Sequence, residues 1–409
     1  ALCKSRFLIQ PMRTENCDAI VIGAGAAGLT TALNAGPKGV RVAVIDHNEQ
    51  PGRKILISGG GRCNFTHMDT TADHFKSANQ RFAKSALSRY RPQDFVAMVN
   101  RHKIAWHEKT PGQLFCSGSA NEILGMLLAE CEAAHVALHT GETITDVTHN
   151  TGFRVTTARR ILEAPNLVIA TGGLSIPKIG ASSFAFDLAR YFNIPVIPTA
   201  PGLVPLRFDG EDYEWIRSLA GTSLVVEAKS GRKSFTDSMI FTHRGLSGPA
   251  ILQISSWLSP DAPLQLNLLP KCSAFDALRE ARKQRPKAGG AAILNGLLPE
   301  RLARTLAPSL FGTTEAANWS DRILRSADTA LHQMQITPTD TEGYIKAEVT
   351  TGGIDTKALS SRSMEVNAIP GLHIVGEAVD VTGWLGGFNF QWAWASGHAA
   401  GTAIAEKKS

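Results

Sequence analysis

The stretch Asp18-Ala-Ile-Val-Ile-Gly-Ala-Gly-Ala-Ala-Gly28 decides the fold of this 409-residue chain. Residues 18–22 form a short, continuous apolar run, which is typical of a strand that is buried on both faces of a sheet. The glycine-rich residues 23–28 follow at once and lead into a helical pattern over Leu29–Asn34. A second strand is predicted over Val40–Ile45. The order strand, turn, helix, strand predicts an α/β domain.

The glycine spacing in this turn indicates a dinucleotide site. Gly23 permits a tight turn, Gly25 lets the backbone approach a diphosphate, and Gly28 lets helix and strand pack closely. The amino terminus of the helix adds a favourable field for negative charge. Asp46 follows the second strand, where a carboxylate accepts hydrogen bonds from ribose hydroxyls. The predicted contacts are Gly23, Gly25, Ala26, Ala27, Gly28, Asp46 and His47. The alternative is a turn without a ligand, and NAD and FAD are rival occupants.

A second glycine-rich segment favours a flavin over NAD. Residues 51–64 read Pro-Gly-Arg-Lys-Ile-Leu-Ile-Ser-Gly-Gly-Gly-Arg-Cys-Asn. Consecutive glycines expose backbone N–H groups that can form an anion-binding nest, and the basic side chains add positive charge. An NAD domain has no need of such a loop, whereas FAD, with its diphosphate, ribityl chain and ring, does. The predicted contacts with FAD are Arg53, Lys54, Ser58, Gly59, Gly60, Gly61, Arg62, Cys63 and Asn64.

A third glycine-rich segment lies near the carboxyl end of the chain. A predicted strand, Leu372–Val375, ends in Gly376 and Glu377, and a glycine turn then opens the last helix, predicted over 391–405. The pattern resembles the second FAD motif of two-dinucleotide-binding flavoproteins, in which an acid holds the ribityl hydroxyls. Glu377 stands at the position where that motif usually has Asp. The predicted contacts are Gly376, Glu377, Asp380, Gly387, Phe388, Asn389 and Phe390.

With these segments in view, the chain resembles the BaiN/RdsA family (YhiN-like) of FAD-dependent oxidoreductases. The resemblance covers Asp18 to Ala405 and rests on GRKILISGGGRCNFT at 52–66, FTHRGLSGPAILQIS at 241–255, AEVTTGGID at 347–355 and VGEAVDVTGWLGGFNFQWAWASG at 375–397. It implies a two-dinucleotide-binding, Rossmann-like FAD domain with an inserted antiparallel β-barrel and a helical domain. It also places the backbone of Ile144 beside the adenine, and Thr171-Gly172 is the strand-end turn common beside the adenosine.

The residue pattern changes along the chain in a way that fits this three-part organisation. Helices are predicted over 82–102 and 119–134, and a boundary is marked by Pro195, Pro198, Pro201 and Pro205. β-rich runs follow over 223–228, 238–242 and 264–268, then a helical region over 271–332, and β character returns over Tyr344–Thr350. We predict an FAD domain at 17–198 and 355–409, a barrel at 199–268 and 333–354, a helical insert at 269–332, and an N-terminal extension at 1–16.

Two side chains are candidates for the proton transfer that accompanies hydride transfer by a flavin. Cys63 lies in the glycine loop, where a thiol could protonate a substrate carbon; the alternative is a small packed cysteine. His243 comes from the predicted barrel, and it either faces the flavin or makes a structural hydrogen bond. We find no second complete GxGxxG motif in a strand–helix–strand unit. We therefore expect NAD(P)H to bind transiently at the flavin face as the electron donor.

Composition excludes several classes of protein. Hydrophobic residues make up 43% and charged residues 19% of the chain, which is typical of a soluble globular protein. No apolar run is long enough to span a bilayer and we see no signal peptide; Met12 is the expected native start, which makes residues 1–11 an extension. The six cysteines form no CxxC pair, so we expect no zinc or other metal, and scattered cysteines fit a reducing cytoplasm.

The formal net charge of +6 favours anionic partners. Within 266–332, ten basic residues stand against six acidic ones, and the run from Arg279 to Lys287 concentrates the positive charge. We predict that this run contacts the phosphates of ribosomal RNA, and the alternative is a solvated helix face. The basic residues concerned are Arg279, Arg282, Lys283, Arg285 and Lys287.

The resemblance implies two substrate classes. Some relatives reduce a uridine of the large ribosomal RNA to dihydrouridine, and others are linked to small organic molecules such as unsaturated steroid acids or aminoketones. We favour reduction of a conjugated C=C bond with NAD(P)H as the donor, and uridine in ribosomal RNA as the candidate substrate. The alternatives are a small-molecule flavin oxidase or reductase, and an RNA-binding scaffold that holds FAD without turnover.

Overall fold

The computed structural model describes residues 13–259 and 261–408. The described chain divides into two compact units: one combines the residues up to Thr199 with those from Thr351 onward, and the other consists of residues 200–350. The strands Val196–Gly202 and Val349–Ile354 form a two-stranded sheet. The expected start at Met12 and the extension before it lie outside the described residues.

A five-stranded parallel sheet organises the first unit. Its strands lie in the order Leu372–Ile374, Asn166–Ile169, Ala19–Ile22, Val42–Ile45 and Ala137–His139. Every residue of Ala19–Ile22 and Val42–Ile45 is buried. Because both faces of these strands are covered, the sequence shows a continuous apolar run here in place of an alternating pattern. The register pairs Ala19 with Val42 on one side and with Asn166 on the other.

The first helix of this unit, Ala26–Ala35, packs against the last, Phe388–Lys408. Glycine permits the close approach of the two backbones. A β carbon on Gly397 would lie 2.5 Å from the carbonyl oxygen of Ala27, and one on Gly401 would overlap the carbonyl oxygen of Thr31. The two ends of the described chain are therefore joined through the packing of these helices.

Smaller elements surround the parallel sheet. One sheet orders the strands Arg13–Asn16, Arg160–Ala164, Phe153–Thr157 and Ile144–His149. Another joins Asn64–His67, Gln113–Cys116 and Trp106–Thr110, and the short strands Phe75–Lys76 and Thr382–Gly383 form an antiparallel pair. The remaining α-helices of the first unit are Arg53–Ile57, Phe82–Arg89, Pro92–Arg101, Ala120–Ala133 and Phe184–Tyr191.

Three predictions about local structure need correction. Residues 13–16, assigned to an extension, form a strand that pairs in parallel with Arg160–Ala164. The predicted helix over 82–102 is two helices, because the residues just before Pro92 are extended and proline disfavours helical backbone at the preceding position. The β character expected from Tyr344 begins only at Val349, since Lys346 and Ala347 donate hydrogen bonds to the Gly343 carbonyl in a turn.

The second unit has a seven-stranded antiparallel sheet. Its strand order is Met334–Ile336, Leu264–Asn267, Ser223–Ser230, Lys233–Phe241, Gly245–Ser247, Leu206–Arg207 and Asp340–Thr341. Its α-helices are Glu214–Ser218, Pro249–Ser255, Ala274–Gln284, Gly290–Leu294, Glu300–Phe311 and Asp321–His332. The division of this region into a closed barrel and a separate helical domain stays a prediction.

The buried carboxylate of Glu142 stabilises the small sheet whose edge strand is Arg13–Asn16. Glu142 is 4% exposed and accepts hydrogen bonds from the Thr157 hydroxyl at 2.9 Å and from Arg160 Nε at 3.0 Å. Arg160 also reaches Glu15 of the edge strand at 2.9 Å. Burial alone would raise the pKa of Glu142, but the hydrogen bonds from Arg160 and Thr157 outweigh burial and lower this pKa.

Replacing Arg160 with Met should lower the free energy of unfolding by about 3 kcal/mol at neutral pH, because it leaves a buried carboxylate without its partner. The matched control is Arg154→Met. It removes an arginine from the same sheet, but the 2.8 Å pair that it breaks with Glu163 is exposed, and its loss should cost about 0.5 kcal/mol. Urea denaturation of the two variants measures the difference.

The lowered pKa of Glu142 sets the pH dependence of this difference. The stabilising contribution of its ionised form is complete above the unfolded-state pKa of about 4.3, and it is lost as the pH falls through the lower folded-state pKa. The gap between wild type and Arg160→Met should therefore narrow in acid. Equal losses in the two variants, or a gap that does not change with pH, would contradict this account.

Candidate functional site

The carboxyl ends of the parallel strands bring the predicted cofactor residues to one edge of the sheet. Gly23 follows Ala19–Ile22, Asp46 follows Val42–Ile45, and Gly376 comes soon after Leu372–Ile374. Ligands of open α/β sheets bind in a crevice at this edge. Segments that are more than 300 residues apart in the chain therefore meet at one place.

The turn at 23–28 leaves space for a ligand at Gly25 and almost none at Gly28. A β carbon on Gly28 would overlap the carbonyl oxygen of Gly23, whereas a β carbon on Gly25 would meet no atom within 4 Å. The helix that begins at Ala26 has no side-chain cap and no acidic residue in its first turn. The N–H groups at this helix end, including that of Ala27, can therefore bind a diphosphate.

Asp46 is oriented by its neighbours. Its Oδ2 accepts a hydrogen bond from the Ala24 N–H at 2.7 Å, and its Oδ1 accepts one from the Asn48 N–H at 2.8 Å. Arg53 Nη1 donates to Asn48 Oδ1 at 2.9 Å, which connects the second glycine-rich segment to the first. His47 Nδ1 lies 3.8 Å from Asp46 Oδ1. Oδ1 also accepts a hydrogen bond from Asn48 Nδ2 at 3.1 Å, so the remaining acceptor capacity of Asp46 is on Oδ2, which can still accept a hydrogen bond from a ribose hydroxyl.

An ion pair connects three segments of the site. Lys54 Nζ lies 2.5 Å from Glu377 Oε2 and 2.6 Å from the Ser175 hydroxyl, and Ser175 donates to Glu377 Oε1 at 2.9 Å. The sequence predicts that Lys54 contacts the cofactor, and the structure pairs its ammonium group with the acid expected to hold the ribityl hydroxyls. Ser175 is buried and was not predicted, because a single serine beyond a strand end carries no motif.

The glycine loop is only partly free to bind an anion. Gly59–Gly61 adopt left-handed backbone angles, with φ of 57°, 67° and 83°. The N–H groups of Gly61 and Cys63, however, both donate to the Ser58 carbonyl at 3.0 Å. These two N–H groups are therefore not available for a nest, and an anion-binding nest at the glycines stays a prediction. Arg62 is exposed beside the loop.

Cys63 is enclosed by protein atoms. It has no solvent exposure, and burial raises the pKa of its thiol to about 12, against a smaller lowering by Ser58. A group that protonates a substrate must reach it, and it works best with a pKa near the working pH. The geometry therefore favours a packing role for Cys63, and its role in proton transfer stays a prediction.

Two buried polar atoms at the predicted contacts have no hydrogen-bond partner among the described residues. They are Asn64 Oδ1 and the Thr171 hydroxyl oxygen. A β carbon on Gly387 would lie 2.8 Å from Asn64 Oδ1, so the backbone comes close to that oxygen only because residue 387 is glycine. Buried polar atoms without partners are costly. FAD carries ring N–H and ribose hydroxyl groups that can satisfy them, so the residues present fit this cofactor.

Aromatic rings surround the start of the last helix. Phe388 stacks on His67 and His74, with ring centroids 4.2 and 4.7 Å apart. Asn389 Oδ1 accepts a hydrogen bond from the Gly383 N–H at 2.8 Å, and its Nδ2 donates to the Gly383 carbonyl at 3.0 Å. Phe388 and Asn389 thus fix the turn that opens the helix. The sequence missed both histidines, because their spacing matches no motif.

Asp380 and Phe390 are engaged by other protein groups. Asp380 is buried and accepts a hydrogen bond from the Ala78 N–H at 2.8 Å, and burial raises the pKa of its carboxyl. Phe390 stacks on Trp394 with ring centroids 5.5 Å apart. These contacts stabilise the segment around Glu377 and the last helix, and a direct contact of either side chain with FAD stays a prediction.

Three further predicted residues lie on loops and strand ends. Gly172 has a φ of 75°, and a β carbon there would meet no atom within 4 Å. Ile144 is half-buried at the start of the strand Ile144–His149. His243 belongs to the second unit and is exposed in the turn that precedes Gly245–Ser247. The predicted contacts of these residues with FAD or substrate stay predictions.

Two of the five basic residues between Arg279 and Lys287 have hydrogen-bond partners within the protein, so their guanidinium groups are less available to bind phosphates than the sequence suggests. Arg282 donates a hydrogen bond to the Trp319 carbonyl at 2.6 Å and pairs with Asp321 at 2.9 Å. Arg285 donates to the Ala292 carbonyl at 3.1 Å. These two cations make contacts within the protein, and the predicted contact of the run with RNA phosphates stays a prediction. The other basic residues of the run, Arg279, Lys283 and Lys287, are exposed.

If FAD binds at this strand edge, the residues described above would hold its parts as follows. The open turn at Gly25 would hold the diphosphate, Asp46 the ribose, and Glu377, oriented by Lys54 and Ser175, the ribityl chain. When it is bound, FAD supplies reversible hydride exchange at its ring.

A family model described as the HI0933-like protein Rossmann domain matches residues 17–403. The chain belongs to the HI0933-like family. It is 44% identical to the ribosomal RNA dihydrouridine synthase of Escherichia coli (strain K12), over 97% of this chain and 100% of that one. The protein of the same name from Haemophilus influenzae is 41% identical, over 95% and 98% of the two chains. The 3-dehydro-bile acid delta(4,6)-reductase of Clostridium scindens is 27% identical, over 95% and 98%.

Solved structures agree with the HI0933-like assignment at the level of the fold. The 3-ketosteroid-delta4-(5alpha)-dehydrogenase of Rhodococcus jostii RHA1 matches with a TM-score of 0.52 at 14% identity, over 98% of this chain and 99% of that one. The quinol fumarate reductase subunit FrdA of E. coli matches with a TM-score of 0.50 at 14% identity, over 97% and 71%. The predicted Rossmann-like FAD-binding fold, the BaiN/RdsA resemblance and the class of FAD-dependent oxidoreductase are confirmed.

In residues 13–259 and 261–408 of this HI0933-like chain, every helix is too short or too polar to cross a bilayer.

Replacing Gly25 with Ala should weaken FAD binding by at least about tenfold and leave the fold intact. The backbone angles of Gly25, φ −89° and ψ −169°, are accessible to alanine, and the added β carbon meets no protein atom. The methyl group therefore obstructs only a ligand that approaches the turn. Titration of the apoprotein with FAD, followed by flavin fluorescence, measures the affinity.

Gly125→Ala is the matched control, because a β carbon on this exposed glycine of the helix Ala120–Ala133 also meets nothing within 4 Å. It should leave the FAD affinity unchanged and slightly stabilise the helix. Gly28→Ala should instead destabilise the fold, since the carbonyl of Gly23 occupies the space. Equal FAD affinities of Gly25→Ala and Gly125→Ala would rule out a diphosphate at this turn.

Proposed function

We propose that this HI0933-like protein reduces uridine in ribosomal RNA to dihydrouridine, with FAD as its cofactor. The observation that carries the proposal is the 44% identity to the E. coli ribosomal RNA dihydrouridine synthase over the full length of that protein. The strand-end site supports it, because the open turn at Gly25 and the unpartnered atoms of Asn64 and Thr171 suit a flavin nucleotide.

The chemistry matches the proposed site. The C5–C6 double bond of uracil is conjugated with a carbonyl group, and its reduction adds a hydride to one carbon and a proton to the other. We propose NAD(P)H as the source of the hydride, so that uridine, NAD(P)H and a proton give dihydrouridine and NAD(P)⁺. A uridine must leave the base stack to reach a flavin. A basic surface can hold the RNA while the uridine is unstacked.

We further propose that residues 200–350 hold the RNA while the first unit holds FAD. In this proposal the residues 199–268 and 333–354 form a barrel and 269–332 a helical domain. The exposed cations Arg279, Lys283 and Lys287 of the helix Ala274–Gln284 and the loop after it would contact phosphates. Arg282 and Arg285 would then position the helix by their internal hydrogen bonds.

A second candidate function is the reduction of a C=C bond in a small molecule. It is favoured by the relative from Clostridium scindens, a 3-dehydro-bile acid delta(4,6)-reductase, which is aligned over 98% of its length. Its lower identity, 27% against 44%, makes it the second choice.

Ribosomal RNA from a strain without its own ribosomal RNA dihydrouridine synthase should gain dihydrouridine when it is incubated with this protein, FAD and NAD(P)H. Mass spectrometry of nuclease digests detects the two added hydrogen atoms. Gly125→Ala should support the reaction and Gly25→Ala should be impaired, because only the latter obstructs the diphosphate. Unchanged RNA, together with turnover of an unsaturated steroid acid, would select the small-molecule function.

Anaerobic addition of NADH or NADPH should bleach the bound FAD within the time of a turnover, because the proposed reaction needs a reduced flavin. Stopped-flow absorbance measures the rate for each nucleotide, and dithionite serves as the control that shows the flavin to be reducible. A flavin that dithionite reduces and neither nucleotide does would exclude NAD(P)H as the donor. If, in addition, RNA bound but was never modified, the chain would be an RNA-binding scaffold that holds FAD without turnover.

A further inference from the structure

A cavity of about 370 Å³ lies in the first unit, outside the predicted FAD contacts. Its walls come from two segments, 79–82 and 356–361. The volume is within the range of small-ligand sites, and it exceeds that of a single inorganic ion.

The rim of this cavity carries positive charge. Arg81 and Lys357 line it and are exposed, and none of the described residues that line it is acidic. Asp355, which precedes Thr356 in the sequence, accepts a hydrogen bond from the Lys357 N–H at 2.9 Å and caps the short helical turn there. Asn79 and Ser361 add uncharged polar groups to the wall. This combination of two cations with amide and hydroxyl groups is typical of phosphate sites.

The inner wall contains a polar group that the protein leaves unsatisfied. Thr356 lines the cavity and is 1% exposed, and its hydroxyl has no hydrogen-bond partner among the described residues. Such an atom is costly unless a ligand or an ordered water completes its hydrogen bonding. Phe82 and Leu359, both buried, supply the apolar part of the lining. Apolar lining beside cations suits a phosphate that is attached to a sugar.

Both walls are connected to the segment that follows the predicted flavin acid. The Ala78 N–H, one residue before Asn79, donates to Asp380 Oδ2 at 2.8 Å. The Asp380 N–H in turn donates to the Ile354 carbonyl at 3.0 Å, two residues before Thr356. The cavity therefore adjoins the motif Gly376–Asp380 in space, and no motif in the sequence predicts it.

We propose that this cavity binds a nucleotide phosphate, and that the ligand is a backbone phosphate of the RNA close to the uridine that is reduced. The assignment of the source rests on the proposed function. The 2′-phosphate of NADPH has the same chemistry and is the other source that the cavity can accept. Arg81 and Lys357 bind the phosphate oxygens, and Thr356 completes the contact from the inner wall.

The double variant R81Q/K357Q tests the proposal against the control K38Q/R159Q. The control also removes one Arg and one Lys, which are exposed and lie outside the cavity. Binding of a ribosomal RNA fragment is measured at several salt concentrations, and KM is measured for NADPH and for NADH. We expect R81Q/K357Q to weaken RNA binding at least about tenfold and to reduce the salt slope by about 1, the value for the loss of one phosphate contact, with the control close to wild type.

Each outcome decides the proposal. Weaker RNA binding with unchanged KM values supports an RNA phosphate, and a raised KM for NADPH alone supports a phosphate site whose source is the nucleotide. Values equal to those of K38Q/R159Q in every assay overturn the site. Because these assays measure binding and nicotinamide oxidation, they succeed or fail independently of dihydrouridine formation, so a failure of the proposed function is distinguished from a failure of the site.

Thr356→Val provides a second test that removes only the hydroxyl. If the hydroxyl serves a ligand, the variant should keep or raise the melting temperature and weaken the binding of the same RNA fragment or of NADPH. If the hydroxyl instead stabilises the fold, the melting temperature should fall while the binding stays at the wild-type value, and that result counts against the proposal. The control is Thr145→Val, which removes the hydroxyl of an exposed threonine that lies outside the cavity and donates to the Thr156 carbonyl at 3.1 Å.

Discussion

The contact between Gly28 and the carbonyl of Gly23 is the constraint on which the first unit depends. It leaves no room for a β carbon, and it brings the helix Ala26–Ala35 directly against the strand end. The last helix reaches the same helix through Gly397 and Gly401, again by backbone contact. Close packing of this kind tolerates almost no change in side-chain volume. The helices Ala26–Ala35 and Phe388–Lys408 are therefore both fixed to one turn, and the segments that follow the other strands can meet beside it.

The site contains two kinds of residue: carboxylates that other residues hold by hydrogen bonds, and polar side chains with an atom that has no hydrogen-bond partner among the described residues. Asp46 is oriented by Ala24 and Asn48, and Glu377 by Lys54 and Ser175. Hydrogen bonds to charged groups are strong enough to hold these carboxylates in one orientation. Asn64 and Thr171, by contrast, keep buried oxygen atoms without a partner among the described residues. A framework with fixed acids and a few unsatisfied atoms is what a preorganised nucleotide site requires.

Surroundings, more than residue type, decide what the candidate catalytic and RNA-binding residues can do. Cys63 sits in the right loop for a proton donor, yet it is enclosed and its thiol has a pKa raised to about 12. Arg282 sits in the most basic run of the sequence, yet its guanidinium group is bound to Trp319 and Asp321. In both examples the chemistry of the side chain suits the predicted function, but the side chain is occupied by contacts within the protein.

The sequence by itself determined the Rossmann-like sheet, because glycines at turns and apolar runs in buried strands are requirements of local backbone geometry. The family and the class of FAD-dependent oxidoreductase followed from the resemblance of its long motifs to those of known proteins. It could also name most strand-end candidates, such as Gly25 and Asp46. Only the tertiary structure revealed the strand at residues 13–16, the link from Lys54 to Ser175 and Glu377, the burial of Cys63 and the cavity at Thr356. These features depend on contacts between residues far apart in the chain, and no periodicity or spacing within a short segment encodes such contacts.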